Sequence, residues 1–217
     1  MIQDLRGRLP TPDLARRRAA GLVILSAAFS CENYTMKRDA DGVWCFDYNH
    51  GSGDYLMQWF SLQGDVLLAG FDHESDASPY AGGVYLPGML EQVPEKYLKR
   101  LEDDSGSDVF PGPAAGALAG RTFLPLTFLA WCEPFAKKWA TSQVQLPANG
   151  DDGSSWLLDC LELEHLLELV DVECPEGLAR RIYDNGRAGD ADLQALSTVC
   201  DIAFLRELMA EFDYGNS

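Results

Sequence analysis

Three short runs of β-forming residues, separated by turn-forming residues, constrain the fold of this chain most. The runs cover residues 43–48, 55–61 and 66–72 and are rich in Trp, Tyr, Phe and Val. Gly and Asp are prominent in the gaps at residues 50–54 and 63–65. Gaps this short are typical of hairpin connections. The sequence therefore predicts an antiparallel β-meander in the N-terminal half.

Helical patterns flank this meander on both sides. Thr11, Pro12 and Asp13 form an N-cap signature that predicts a first helix over residues 12–29. A polar run over residues 30–42 is expected to connect this helix to the first strand. The inward positions of the first helix are expected to be Leu14, Leu22, Leu25, Ala28 and Phe29. Further helices are predicted at residues 95–102, 156–170, 175–185 and 191–212.

The whole pattern predicts an α+β fold, with the meander packed against helices and a largely helical C-terminal half. One domain over residues 1–217 suits a chain of this length. Residues 105–120 are rich in Gly, Pro, Ser and Ala, so we expect a surface loop there. Residues 123–139 are apolar and aromatic but include prolines, and the pattern fits a strand or a helix.

The charge of the chain limits its partners. It has 34 Asp and Glu against 17 Lys and Arg, a formal net charge of −17. A field of this sign repels nucleic acid and anionic membranes, which we therefore exclude as expected partners. It favours a protein partner with a basic face, because complementary fields speed association. The same charge is also common on acidic proteins that it merely keeps in solution.

The cysteines and the N-terminal region indicate a cytoplasmic protein. Six cysteines are far apart, with no spacing typical of a metal site or a redox pair. They are read as small buried side chains in a reducing compartment. The apolar stretch at residues 19–29 follows three arginines, but it is too short to span a bilayer. Together with the helix cap at Thr11, this favours a partly buried helix over a secretion signal.

Polar residues converge at one end of the predicted meander. The loop after the first strand and the exit from the third strand lie at the same end of such a sheet. A two-residue turn at Gln63 and Gly64 would pair Phe71 with Leu56 and His73 with Asp54. A slip of one residue would break the second pair. The converging candidate site residues are Ser52, Asp54, Asp72, His73, Glu74 and Ser75, with His50 and Ser78 close by.

This set permits two kinds of chemistry and one structural interpretation. Carboxylates and an imidazole could bind a divalent cation, with Asp54, Asp72, His73 and Glu74 as ligands. Alternatively, an aspartate could hold His73 ready for proton transfer. Structurally, Asp and Ser side chains in Gly-rich turns commonly accept hydrogen bonds from nearby backbone N–H groups. The sequence leaves all three interpretations open.

The same residues carry a resemblance to a protein family. The strings HGSGD at residues 50–54, GFDHES at 70–75, SPY at 78–80 and PGMLEQVPEKY at 87–97 stand in order. This pattern resembles a bacterial protein family that is generally catalogued as uncharacterised. The likeness covers residues 50–98, and it implies kinship but no activity. His50 stands where the family usually has Asn, so the resemblance implies no site role for His50.

Other motifs in the sequence give weaker indications of function. Gly51 and Gly53 precede a strand, so no helix N-terminus is placed to bind phosphate. Ser52 lies between strands and lacks the strand-to-helix turn of a hydrolase nucleophile. His165 lies among glutamates on a predicted helix, which is typical of a solvated or rim histidine.

Two functions therefore compete at the level of sequence. The first is a non-enzymatic protein-binding module, similar to an immunity protein, that neutralises a basic partner such as a toxin domain. The second is a small metal-binding protein or hydrolase-type enzyme that uses Asp54, Asp72, His73 and Glu74. No cofactor is expected, and the oligomeric state stays open.

Overall fold

The computed structural model describes residues 8–103, 109–114, 116–134, 138–170, 174–197 and 200–212. The strands are β1 (Tyr34–Arg38), β2 (Trp44–Asn49), β3 (Tyr55–Phe60), β4 (Val66–Phe71), β5 (Phe110–Pro111), β6 (Thr122–Phe123), β7 (Phe128–Cys132) and β8 (Ala140–Thr141). The helices are α1 (Pro12–Ala28), α2 (Pro79–Gly82), α3 (Glu95–Asp103), α4 (Ser154–Asp159), α5 (Leu163–Leu169), α6 (Glu176–Asn185), α7 (Asp190–Leu196) and α8 (Ile202–Phe212).

Six strands form one antiparallel sheet in the order β1-β2-β3-β4-β7-β8, and β5 pairs with β6 separately. The first four strands follow one another in space as they do in sequence, which confirms the predicted meander. After the sheet, α4 to α8 make the C-terminal region mostly helical. The predicted α+β fold is therefore confirmed.

The segment between α1 and β2 differs from its prediction. Residues 30–42 were expected to be a plain connection, but they contain β1, which pairs with β2 along its whole length. Tyr34 and Met36 are buried, whereas Thr35 and Lys37 are exposed. This alternation is typical of a strand that covers a core on one side. The expectation was wrong because the surrounding charges and turn residues masked a pattern carried by only two apolar side chains.

The register between β3 and β4 also differs from the prediction by one residue. Leu56 pairs with Gly70, and Tyr55 pairs with Phe71. The turn has three residues instead of two, since the Ser61 N–H donates to the Asp65 carbonyl at 3.0 Å. Gly64 takes a φ of +90° in this turn, a conformation that glycine adopts without strain. The predicted pairing of His73 opposite Asp54 is therefore wrong.

Both faces of the sheet are buried. On β3, Leu56 and Phe60 belong to a core shared with α1 and the C-terminal helices. Trp59, between them, belongs to a second core shared with α3. β4 lies near the middle of the sheet and is buried at every residue. The centre of the sheet thus stands between two apolar layers, and β3 contributes alternate side chains to each.

The two segments that the sequence left uncertain are now placed. Within residues 105–120, the described part includes β5 and turns, while 105–108 and 115 lie outside the described residues. Phe110 of β5 pairs with Phe123 of β6. The stretch at 123–139 is extended where it is described, since β7 pairs with β4. Its strand interpretation is therefore the correct one.

The helix predicted over residues 156–170 is instead two helices, α4 and α5. The chain leaves the helix at Cys160 and Leu161, and their carbonyls accept hydrogen bonds from distant tyrosines. Tyr34 Oη donates to the Cys160 carbonyl at 3.0 Å, and Tyr183 Oη donates to the Leu161 carbonyl at 2.7 Å. Tertiary partners thus satisfy the carbonyls freed by the break. The helix predicted over 191–212 likewise divides into α7 and α8, with 198–199 outside the described residues.

Helix α1 lies against the C-terminal helices α5, α6 and α8. The Thr11 hydroxyl accepts a hydrogen bond from the backbone N–H of Leu14 at 3.4 Å, as the N-cap signature predicts. Leu22 and Leu25 are fully buried, whereas Leu14 is only half-buried. Among the described residues, no helix combines the length and the apolar character that crossing a bilayer requires.

Gly21 allows the close approach of α1 and α6. A Cβ at this position would lie 2.6 Å from the Cα of Tyr183 and 2.7 Å from the carbonyl oxygen of Ile182. Both atoms belong to backbone, so they cannot move aside without shifting the helix. We expect Gly21→Ala to lower the free energy of unfolding by about 1–3 kcal/mol, as overpacking does. Urea unfolding followed by circular dichroism measures this loss.

Gly177→Ala is the matched control within α6. A Cβ there would meet only the Arg181 side chain, at 3.7 Å, which is an ordinary contact. Because alanine favours helix more than glycine, this variant should be neutral or gain up to about 1 kcal/mol. Equal stability of the two variants would contradict the proposed helix contact.

Candidate functional site

Three loops meet at one end of the sheet. Residues 50–54 follow β2, residues 72–78 follow β4, and residues 150–153 precede α4. The last two loops are joined by a pair of hydrogen bonds at 2.9 Å: the Asp76 N–H donates to the Asp151 carbonyl, and the Asp151 N–H donates to Asp76 Oδ2. We call the six carboxylates of these loops the acidic edge: Asp54, Asp72, Glu74, Asp76, Asp151 and Asp152.

Asp54 and His73 are neighbours, although their strands are not in the predicted register. One oxygen of Asp54 accepts the backbone N–H of His73 at 2.8 Å and lies 2.6 Å from His73 Nδ1. The Asp54 side chain extends to His73, one residue past the position that the strand register places opposite Asp54. Asp54 is 6% exposed, whereas the His73 side chain is 45% exposed. The predicted contact between Asp54 and His73 is therefore confirmed. It is formed by the Asp54 side chain and not by direct pairing of the two residues across the strands.

Ser52 and His50 extend this hydrogen-bonded group. The Ser52 hydroxyl donates to the second oxygen of Asp54 at 3.0 Å, and His50 Nδ1 lies 2.9 Å from the same hydroxyl. The rings of His50 and Trp156 are nearly perpendicular, with centroids 5.6 Å apart. Because the Ser52 hydroxyl donates its hydrogen bond to Asp54, the imidazole of His50 is not placed to activate that hydroxyl as a nucleophile. Both oxygens of Asp54 are thus engaged.

Asp72 is held from two sides. Its backbone N–H donates to Thr127 Oγ1 at 3.2 Å, and its Oδ1 accepts the N–H of Glu74 at 2.9 Å. Gly153 lies against its carboxylate, since a Cβ there would fall 2.5 Å from Oδ2. Burial raises the pKa of Asp72, and the nearby carboxylates of Asp54 and Asp151 add to that rise.

The other candidate residues make fewer contacts at this site. The Glu74 carboxylate is exposed and lies 3.9 Å from His73 Nε2. The hydroxyls of Ser75 and Ser78 are buried and have no hydrogen-bond partner among the described residues. The structure therefore joins Ser52, Asp54 and His73 by hydrogen bonds, places Asp72 beside them, and leaves the two serine side chains outside the network.

The Asp54 and His73 pair is electrostatically coupled. Its hydrogen bond to Asp54 raises the pKa of His73 above the ordinary value of 6.5. Burial alone would raise the pKa of Asp54, but the hydrogen bonds from His73 and Ser52 outweigh it and lower that pKa below 3.8. The ionised carboxylate and the protonated imidazole therefore stabilise each other.

Three of the candidate residues could hold a metal ion. Ligand atoms of Asp54, Asp72 and His73 all lie within 4.8 Å of one another. Carboxylate oxygens and an imidazole nitrogen suit a divalent cation. However, both oxygens of Asp54 already accept hydrogen bonds, so a cation would compete with His73 and Ser52 for them.

The carboxylates of the acidic edge lack the ion pairs that several other surface acids form. None of its six carboxylates forms an ion pair with an arginine or lysine among the described residues. Elsewhere many surface acids are paired: Arg121 binds Glu95 and Glu102, and Arg18 binds Glu162 and Asp184. Within the described residues, these loops thus bring together several carboxylates that no arginine or lysine neutralises.

Two exposed aromatic side chains lie next to these loops. Trp156 is 36% exposed and contacts His50 of the first loop. Tyr80 is 54% exposed, follows the second loop, and packs against Phe71 and Phe110. Sequence reasoning missed Trp156 and the loop at 150–153, because only tertiary contacts bring them to the other two loops.

His165 lies outside this site. It is half-buried, and its Nε2 is 2.9 Å from the hydroxyl of Tyr48. Burial lowers its pKa. This placement agrees with a histidine at the rim of the core.

Comparison of the chain with models of protein families, with curated proteins and with solved structures finds no match.

Asp54→Asn should remove the coupling to His73. We expect the pKa of His73 to fall toward its ordinary value, and the free energy of unfolding to drop by about 1–3 kcal/mol. The contribution of His73 is fully present below pH 6.5 and is lost as pH rises through its raised pKa. That of Asp54 is present above pH 3.8 and is lost as pH falls through its lowered pKa. NMR titration of the imidazole and urea melts across this range measure both effects.

Glu74→Gln is the control, since its exposed carboxylate lies farther from the imidazole. It should leave stability nearly unchanged. A pKa for His73 that is the same in the wild type and in Asp54→Asn would show that the pair is not coupled in solution.

Proposed function

We propose that this chain is a cytoplasmic, non-enzymatic protein-binding module, similar in role to an immunity protein, that takes a basic partner at the acidic edge. The observation that carries the proposal is the concentration of carboxylates without arginine or lysine partners at one end of the sheet, within the described residues. A basic partner could pair with these carboxylates without breaking existing ion pairs. Such complementarity gives both speed and selectivity of association.

The exposed rings support the same proposal. Tyr and Trp are enriched among the residues that dominate binding energy at protein interfaces. Tyr80 and Trp156 lie next to the second and first loops respectively, so carboxylates and apolar anchors share one end of the molecule. The six cysteines are free, which suits a reducing compartment. The overall charge of −17 disfavours nucleic acid as the partner.

The hydrogen-bond directions favour binding over hydrolysis. The Ser52 hydroxyl donates its hydrogen bond to Asp54, so its proton does not point toward an imidazole that could remove it.

Neutralising the acidic edge should weaken partner binding. The variant combines Glu74→Gln, Asp76→Asn and Asp151→Asn, which keep an acceptor oxygen at each position. Because an exposed ion pair is worth up to about 1 kcal/mol, three losses should reduce affinity about tenfold. Immobilised wild type and variant, exposed to a lysate of the source cells, would be compared for the proteins they retain.

A charge-matched control combines Glu168→Gln, Glu207→Gln and Glu211→Gln, which are exposed on α5 and α8. The proposal expects a basic protein that wild type and control retain, that the edge variant releases, and that salt elutes. If every retained protein binds the edge variant as well as the control, the proposal is wrong.

The distances among Asp54, Asp72 and His73 favour a divalent-cation site as a second candidate. A cation that binds only the native state must raise the melting temperature. This candidate expects Ca²⁺, Mn²⁺ or Zn²⁺ to do so in the wild type, with the rise lost in His73→Gln. Thermal melts that no cation shifts would remove the second candidate and leave the first.

A further inference from the structure

A small apolar pocket lies between α3 and the sheet, at the end of β3 and β4 opposite the acidic edge. Its floor comes from three neighbouring strands, since Val43 precedes β2, Trp59 is on β3 and Leu67 is on β4. Trp59 and Leu67 pair directly across their two strands. Tyr97 of α3 adds a second aromatic ring. The polar residues of the lining are Ser61, Asp65, Lys96 and Arg100.

The size of this pocket suits a molecule of one or two rings. Its volume is about 180 Å³. A cavity of roughly 150 Å³ is large enough to bind benzene, whereas pockets for drug-sized ligands begin at about 300 Å³. The sheet closes the pocket below, and Lys96, whose side chain is 45% exposed, lies at its rim. A single planar ring or a fused pair of rings therefore fits.

The charged groups of the lining already have partners of opposite charge. Lys96 binds Asp65 and lies 3.6 Å from Glu133, and Arg100 binds Asp39. An ion in the pocket would compete with these partners or would lie in an apolar site without a partner of its own. A neutral ligand leaves every one of these ion pairs in place.

Asp65 retains one position at which it can accept a further hydrogen bond. Its Oδ1 accepts from Lys96 and, at 3.1 Å, from the Tyr97 hydroxyl. Its Oδ2 accepts from the Ser61 hydroxyl at 3.2 Å, and from no other donor among the described residues. A carboxylate has about four acceptor positions, so one is left on Oδ2. The Asp65 side chain lines the pocket and is 19% exposed, which lets a ligand reach it.

We infer that this pocket binds a small neutral aromatic molecule that carries one hydrogen-bond donor, of the kind that phenol and indole represent. The ring of the ligand packs on Trp59, Leu67 and Val43. Its O–H or N–H group donates to Asp65 Oδ2. Aromatic rings associate favourably in offset or edge-to-face contacts, which the rings of Trp59 and Tyr97 offer.

The test titrates the full chain with two pairs of probes of matched shape. Phenol and indole carry a donor, whereas toluene and benzofuran are their respective partners without one. Thermal melts and ¹H–¹⁵N NMR spectra report binding, with the indole N–H of Trp59 as the local signal. We expect phenol or indole to raise the melting temperature saturably and to shift this signal. The donor-free partner of that probe should bind about tenfold more weakly, because it cannot donate to the carboxylate.

Val43→Phe should block the pocket by placing a ring in it. The turn around Val43 is held by backbone groups, since its N–H and its carbonyl are both hydrogen-bonded to Asp39, at 2.9 and 3.0 Å. This variant should bind the same probe at least tenfold more weakly. Val84→Phe is the matched control, because it makes the same substitution at a residue that is 53% exposed and lies outside the pocket lining. It should bind as the wild type does.

Four outcomes would overturn the proposal. They are no saturable response to phenol or indole, equal affinity within both probe pairs, equal binding by the wild type and Val43→Phe, and tighter binding of benzoate or benzylamine than of phenol. The comparison within each pair uses the wild type, so it decides the matter even if Val43→Phe does not fold. None of these outcomes bears on the acidic edge, which lies at the opposite end of β3 and β4.

Discussion

The burial of β4 on both faces is the constraint on which the rest of the structure depends. All six of its residues are buried, and it is paired on one edge with β3 and on the other with β7. A strand in this position needs an apolar layer above it and another below it. Helix α1 and the C-terminal helices supply one layer, and the segment between β4 and β7 supplies the other. The acidic edge forms where β4 leaves these two layers.

The same arrangement explains the contacts at the acidic edge. With the three-residue hairpin turn, Asp54 precedes the β3 residue that pairs with Phe71, so the Asp54 side chain lies near both Asp72 and His73. The nearby carboxylate helps to raise the pKa of Asp72, and the imidazole helps to lower that of Asp54. The buried Asp54 carboxylate therefore joins two loops by hydrogen bonds, whereas the pKa of the neighbouring Asp72 carboxyl is raised.

Sequence reasoning predicted the elements whose signals are local. The meander follows from runs and turns that are contiguous in the chain, and the start of α1 follows from three adjacent residues at Thr11. The register of β3 and β4 could not be fixed, because residues around Gly64 suit turns of two or three residues. The break between α4 and α5 depends on hydroxyls of Tyr34 and Tyr183, which are far away in sequence. The contribution of residues 150–153 to the site is likewise a matter of tertiary contact.

The contact of α1 with α6 has a consequence for how the chain is made. Gly21 sits against the backbone of Tyr183, and α1 also contacts α8 at Ile202–Phe212. Helix α1 therefore cannot complete the cover of its apolar side until α6 and α8, which lie far along the chain, have emerged from the ribosome. During that interval the side of α1 that meets these two helices is uncovered, and nascent chains on one messenger present the same surface to each other. Slow synthesis of the C-terminal third would lengthen this exposure.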